Sequence, residues 1–145
     1  MDERFVFCDL MSGKKKLQSG ELPFMVLKDM KHSVSFLSID FPAYEDGHTL
    51  VIPKKHYAKI EDVPKKVLHE LIEHCQIVAR AIGKRHSGCN ILLNDGKFAD
   101  QSVFHVHFHI VPRDKKDKIV LDRWKTKKLG AVEFGKLFKK MKKVI

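Results

Sequence analysis

Residues 101–113 read QSVFHVHFHIVPR, so His105, His107 and His109 occupy every second position. Alternate side chains of a β-strand point to opposite faces, so an extended chain places the three imidazoles together on one face. The apolar residues Phe104, Val106, Phe108 and Ile110 then share the other face. We therefore predict a strand over Ser102–Pro112 that has one histidine face and one core face.

The rest of the pattern predicts an α+β domain in which short strands precede and follow one long helix. Apolar residues recur at helical spacing through Pro64–Arg85. A second, basic amphipathic helix is predicted over 131–143, and we expect it to pack on the sheet rather than on a membrane. Short polar connections favour antiparallel pairing. The other strands are predicted at Phe24–Lys28, Ser33–Ile39, His48–Ile52 and Asn90–Leu93.

Length and composition are typical of a single globular domain over residues 1–145. Hydrophobic residues make up 43% of the chain and charged residues 32%, which argues against a disordered protein. The first ten residues carry two acids before any apolar run, and no apolar stretch reaches the ~20 residues that a membrane span requires, so we expect neither a signal peptide nor a membrane span. Three cysteines at unrelated spacings give no disulfide framework, so a cytoplasmic location is expected.

The formal net charge of +10 favours anionic partners through long-range attraction. The lysines occur in short runs at 14–16, 115–118, 125–128 and 139–143. Because no nucleic-acid motif accompanies these runs, we interpret them as solvated surface and expect no nucleic-acid partner.

Three interpretations of the histidine face compete. Buried structural histidines would need three separate hydrogen-bonding partners without a gain in function. Two imidazoles could share a metal ion, but no acidic residue on the strand supplies a third ligand. Catalysis by one imidazole, with its neighbours setting the tautomer and handling a leaving-group proton, is the interpretation that the pattern favours.

The segment before the histidines supports chemistry at phosphorus. Asn94, Gly96, Gln101 and Ser102 form a polar loop that leads directly into the predicted strand. Their amide, backbone and hydroxyl groups could bind phosphate oxygens. A neutral imidazole is available near neutral pH, since its ordinary pKa is ~6.5. The residues alone therefore indicate a site for a phosphate ester or a phosphoramidate.

Several motifs, in order, resemble those of the histidine triad (HIT) family. HVHFHIV is similar to the family's His-φ-His-φ-His-φφ signature, in which φ is apolar. SIDFPAYEDGHTLVIPKKH resembles its aspartate strand and Gly-His-x-Leu-Val-Ile-Pro-Lys stretch, and LLNDGKFADQSVF resembles its Asn-x-Gly loop and Gln-Ser/Thr-Val. FVFCDL and ELP are similar to its N-terminal pieces. The resemblance covers roughly residues 5–113 and leaves a basic C-terminal extension.

This resemblance implies a homodimer in which two five-stranded antiparallel sheets join into one. His107 would be the nucleophile that attacks an α-phosphate, with His105, His109 and His48 completing the catalytic set. The implied phosphate ligands are Asn94, Gln101 and Ser102. Asp40 would accept hydrogen bonds from the ribose hydroxyls, and Phe7, Leu10 and Leu22 would line a purine pocket. No metal and no cofactor are implied for the reaction.

Two positions depart from the family pattern. Asp100 stands where the family usually has glycine, and its carboxylate would repel a bound phosphate unless it turned outward. Aspartate tolerates a left-handed backbone better than most residues, so the turn itself can be kept. Zinc-containing bacterial members carry Cys-x-x-Cys near the start, but Phe5 replaces the partner of Cys8, so we expect no zinc there.

These features predict a hydrolase or nucleotidyl transferase that works on a purine nucleotide conjugate through a covalent nucleotidyl-histidine. Ser102 and the GHTLVIPKKH stretch favour the Hint-like, phosphoramidase branch of the family. The Fhit-like branch, which cleaves dinucleoside polyphosphates, is the first alternative. The second alternative is a nucleotide binder without catalysis.

Overall fold

One antiparallel sheet of five strands is the centre of the computed structural model, which describes Phe7 and residues 26–38, 47–121 and 129–145. The strands are β1 (Val26–Asp29), β2 (Ser33–Leu37), β3 (Thr49–Pro53), β4 (Gly88–Leu93) and β5 (Phe108–Arg113). Their order across the sheet is β1-β2-β3-β5-β4, with every neighbouring pair antiparallel. The predicted fold class is thus confirmed, and β5 lies inside the sheet.

The long helix α1 (Lys65–Ile82) covers one face of this sheet, as its apolar stripe predicts. Leu71, Cys75, Val78 and Ile82 are buried along the stripe. They pack in a single cluster with Val51, Val106, Phe108 and Ile110 from the sheet and from the segment before β5. Three of the four residues assigned to the core face of the histidine segment therefore lie in the core, while Phe104 is only half-buried.

The opposite face of the sheet carries a second, smaller cluster. Alternate residues of β3 divide between the two faces, so Val51 faces α1 while Leu50 and Ile52 join the second cluster. Phe7 and Phe36 complete it with an edge-on ring contact at 5.7 Å between centroids. This cluster is an apolar surface that contacts the histidines through Phe7.

The histidine strand is shorter than predicted, since β5 begins at Phe108 and not at Ser102. The β3–β5 pairing ends at Val51 and Phe108. Pro53 has no N–H with which to continue the ladder. The chain before β5 bonds elsewhere, since the Val106 N–H donates to the carbonyl of Tyr57 at 2.7 Å. Only His109 of the three histidines is therefore a residue of the strand.

The C-terminal helix α2 (Ala131–Met141) does not pack on the sheet, so this part of the prediction is wrong. None of its side chains is buried, and none of the other elements that the structure describes packs against it. Phe134, Leu137, Phe138 and Met141 remain exposed. No helix in the described part of the chain is long and apolar enough to cross a membrane.

Candidate active site

His107 is the central residue of the candidate site and is almost fully buried. Its Nδ1 lies 2.7 Å from the backbone carbonyl oxygen of His105. A carbonyl can only accept a hydrogen bond, so Nδ1 of His107 carries the hydrogen. In the neutral ring the lone pair is then on Nε2, which is the tautomer that a nucleophilic imidazole requires.

His109 and His48 form a pair beside this ring. The ring centroids of His107 and His109 are 4.8 Å apart, and those of His109 and His48 are 5.2 Å apart in a stacked arrangement. Nδ1 of His109 lies 3.0 Å from Nε2 of His48. A hydrogen on one of these two nitrogens can bridge them, so a proton can pass from one ring to the other.

His105 lies on the other side of His107 and is fully buried. Its Nε2 is 2.9 Å from the carbonyl oxygen of Pro53, so Nε2 donates. Its Nδ1 is 3.3 Å from Nδ1 of His56. Sequence analysis predicted His105 in the site but did not single out His56.

Burial makes the outer histidines weak bases. Burial is the largest cause of the lowered pKa of both rings, neighbouring histidines add to it, and the hydrogen bond to the Pro53 carbonyl partly opposes it at His105. Together these lower the pKa of His105 to about 4 and that of His109 to about 3. Both rings are therefore uncharged at neutral pH. Uncharged rings on both sides of His107 leave positive charge free to develop there during a reaction.

The loop before the histidines is held by the side chain of Gln101, which is buried. Its Oε1 accepts a hydrogen bond from the N–H of Gly96 at 2.8 Å, and its Nε2 donates to the carbonyl of Ala58 at 2.9 Å. Asn94 donates from its side chain to the carbonyl of Asp100 at 3.3 Å. Gln101 thus has a loop-forming contact that the sequence did not reveal.

Asp100 adopts the left-handed conformation, with φ 60° and ψ 28°. This geometry confirms that an aspartate can keep a turn for which the family usually employs glycine. Asp100 is exposed, as is Ser102 two residues later.

Of the remaining predicted residues, Phe7 contacts the histidines and the others lie outside the described residues. Phe7 lies against the site, with its ring centroid 5.7 Å from that of His105 and 5.4 Å from that of His107. Asp40, Leu10 and Leu22 lie outside the residues that the structure describes, and so does Cys8. Within the described ranges no group of three or more histidine, cysteine or acidic side chains is arranged to hold a metal ion.

His56 is the functional candidate that sequence reasoning missed. It follows β3 in the segment Pro53-Lys54-Lys55-His56, where no period links it to the other histidines. Its ring centroid lies 5.1 Å from that of His105 because the chain after β3 returns to the segment before β5. The one available signal was a second histidine shortly after His48.

Comparisons with known proteins agree with this fold. A family model described as HIT domain matches residues 19–116. The adenosine 5'-monophosphoramidase HNT1 of Saccharomyces cerevisiae is 34% identical over 142 residues, covering 97% of this chain and 82% of that protein. The crystal structure of a HIT family member from Bacillus subtilis matches with a TM-score of 0.79 and 28% identity, covering 97% of this chain and 96% of that one. The histidine triad nucleotide-binding protein from Candida albicans matches with a TM-score of 0.78 and 28% identity, covering 95% and 94%.

Proposed function

Because the chain belongs to the histidine triad (HIT) family, we propose that it is a hydrolase that cleaves purine nucleotide conjugates at their α-phosphate. The substrate class that we favour is a nucleoside 5'-phosphoramidate, in which an amine is bonded to the phosphorus. The motifs favour the Hint-like branch, and the relative from Saccharomyces cerevisiae is named as an adenosine monophosphoramidase.

The observation that carries this proposal is the hydrogen bond from Nδ1 of His107 to the carbonyl of His105. It leaves the Nε2 lone pair of a neutral ring as the nucleophile. The same carbonyl stabilises the Nδ1 hydrogen as positive charge develops on the imidazole. No further base is needed to activate the ring.

The reaction follows as two displacements at one phosphorus. Nε2 of His107 forms a bond to the α-phosphorus as the bond from phosphorus to the amine breaks, and the amine takes up a proton that is relayed from solvent through the His48–His109 pair. Water then attacks the same phosphorus, and the bond to Nε2 breaks. The nucleoside monophosphate leaves, and the proton released by water returns to solvent through the same pair. No metal or other cofactor takes part.

Substrate binding is assigned to residues on both sides of the histidines. Asn94, Gln101 and Ser102 would hold the phosphate oxygens and the leaving group, with the buried Gln101 side chain also fixing the loop on which they lie. Asp40 would accept the ribose hydroxyls. Phe7, Leu10 and Leu22 would contact the purine.

Release of AMP from adenosine 5'-phosphoramidate tests the proposal. The wild-type protein should release AMP, and His107→Ala should abolish turnover while AMP binding is kept, since only the nucleophile is removed. His69→Ala is the matched control, because His69 is exposed on α1. This control should turn over at the wild-type rate.

The alternatives give different results in the same assay. Faster cleavage of a diadenosine polyphosphate than of the phosphoramidate would favour a Fhit-like activity. Binding of AMP without turnover of either compound would favour a nucleotide binder. Activity of His107→Ala within tenfold of wild type would exclude His107 as the nucleophile.

A further inference from the structure

The nine histidines of this chain all lie in its described part, and five of them form one continuous set of contacts. Four of the five are the predicted catalytic set. The fifth, His56, contacts His105 at the end of that set. The other four histidines are His32, His69, His74 and His86.

The two hydrogen bonds of the His105 ring determine which nitrogen of His56 acts as a donor. Nε2 of His105 must donate to the Pro53 carbonyl, which has no hydrogen to give. The buried ring is neutral, since its pKa lies near 4, so its Nδ1 carries a lone pair. The contact of 3.3 Å between the two Nδ1 atoms then requires a hydrogen on Nδ1 of His56.

The peptide between His105 and Val106 links this contact to the nucleophile. Its N–H donates to the carbonyl of Tyr57, the residue after His56, at 2.7 Å. Its carbonyl accepts the hydrogen on Nδ1 of His107, also at 2.7 Å. Two hydrogen bonds therefore join segment 56–57 to segment 105–106. One is between backbone groups, and the other is between the two imidazole rings.

We propose that His56 is a positioning residue for the nucleophile: its Nδ1–H binds Nδ1 of His105 while the Pro53 carbonyl binds Nε2, so that the His105 ring is held from both sides and the peptide after it keeps its carbonyl in place for His107. The effect on turnover rests on the proposed function, whereas the tautomer of His105 does not. His56 is half-buried at the surface of the site and acts through His105 rather than on the substrate.

Two substitutions separate the hydrogen bond from the volume of the ring. In His56→Asn, the side-chain nitrogen is attached to Cγ as Nδ1 of histidine is, so it can donate in the same place. His56→Leu fills similar space and cannot donate. His69→Leu, on the exposed surface of α1, is the matched control for removing an imidazole.

Imidazole ¹⁵N NMR between pH 5 and 8 reports the tautomer directly. Wild-type His105 should show the Nε2–H tautomer throughout and stay neutral. In His56→Leu the Pro53 carbonyl should keep the Nε2–H tautomer, but the ¹⁵N signal of Nδ1 should shift toward that of a lone pair without a donor, and the pKa of His105 should rise because the donor to the neutral ring is removed. Finding the Nδ1–H tautomer in the wild type would overturn the proposal without any variant.

Kinetics with adenosine 5'-phosphoramidate give the second readout. His56→Leu should lower kcat by roughly tenfold or more with KM within about threefold, as for other groups that orient a reacting residue. His56→Asn should restore most of kcat. Equal losses in both variants, or kcat within about twofold of wild type in His56→Leu, would contradict a positioning role. If the wild-type protein shows no turnover, the proposed hydrolase function is rejected. The NMR measurement still determines the tautomer of His105.

Discussion

At the scale of single residues, the chemistry of the candidate site depends on where two hydrogens lie. The hydrogen on Nδ1 of His107 is fixed by a backbone carbonyl, and the hydrogen on Nε2 of His105 by another. Neither acceptor can titrate, so the tautomers do not change with pH while the rings are neutral. The period of the histidines predicted which rings meet, but it could not predict these carbonyl partners.

Acid should destabilise the protein through His105 and His109. The unfolded chain takes up a proton on each ring near pH 6.5, whereas the folded rings stay neutral until about pH 4 and about pH 3. Stability is therefore fully present above pH 6.5 and is lost as the pH falls toward the folded values. The loss should be roughly 1.4 kcal/mol per group for each pH unit below 6.5. Urea unfolding at pH 7.5, 6.5, 5.5 and 4.5 measures it.

The control for this pH dependence removes one titrating ring. His109→Asn should reduce the slope of unfolding free energy against pH by the contribution of one proton, roughly 1.4 kcal/mol per pH unit. A wild-type stability that is constant or increases from pH 6.5 to 4.5 would contradict the burial of neutral rings.

The carboxylate of Asp100 should weaken the binding of an anionic substrate. Asp100→Asn keeps a side chain that tolerates the left-handed backbone and removes the charge. We expect KM for adenosine 5'-phosphoramidate to fall about twofold to threefold at low salt, with kcat unchanged, because an exposed charge is strongly screened. The difference should vanish at high salt. An unchanged KM at low salt would show that the carboxylate is too distant from the phosphate to act on it.

At the scale of elements, helix α1 could be predicted from sequence period because it buries one face. Strands β1 to β4 could be predicted from short strand-like runs between polar turns. The apolar stripe of α1 packs into the core cluster, as its helical spacing predicts. The start of β5 could not be predicted, since it depends on Pro53 of a neighbouring strand and on the Tyr57 carbonyl. The helix α2 shows the same limit, because amphipathic period indicates an apolar face but not what covers it.

The loop at 94–101 should depend on the side chain of Gln101. Gln101→Leu leaves the Gly96 N–H and the Ala58 carbonyl without this partner, so we expect the free energy of unfolding to fall by about 1–3 kcal/mol. Turnover should fall as well. Gln76→Leu, at an exposed position of α1, is the matched control and should change stability by less than about 0.5 kcal/mol.

Urea unfolding of the two Gln→Leu variants measures this difference. The role of Gln101 in the loop would be rejected if the two variants unfolded at the same urea concentration.

At the scale of the whole molecule, the expected homodimer requires an edge strand that can join two sheets. The edges are β1 and β4. β1 carries the charged Lys28 and Asp29, and charges at an edge discourage pairing. Both edges expose apolar side chains, Val26 and Leu27 in β1 and Ile91 in β4, but β4 carries no charged residue, so we expect pairing through β4.

Sedimentation velocity at micromolar concentration should show a species of two chains. Ile91→Lys should shift it toward one chain, while Leu27→Lys on the opposite edge should not. A wild-type protein that sediments as one chain would contradict the dimer, and an effect of Leu27→Lys alone would move the interface to β1.

The stereochemistry at the α-phosphorus distinguishes a covalent bond to His107 from a direct attack by water. The experiment follows hydrolysis of a P-chiral adenosine phosphoramidothioate in ¹⁸O-labelled water. Each in-line displacement inverts the phosphorus, so two successive displacements through His107 predict net retention of configuration. Net inversion would show a single attack by water and would contradict the covalent nucleotidyl-histidine.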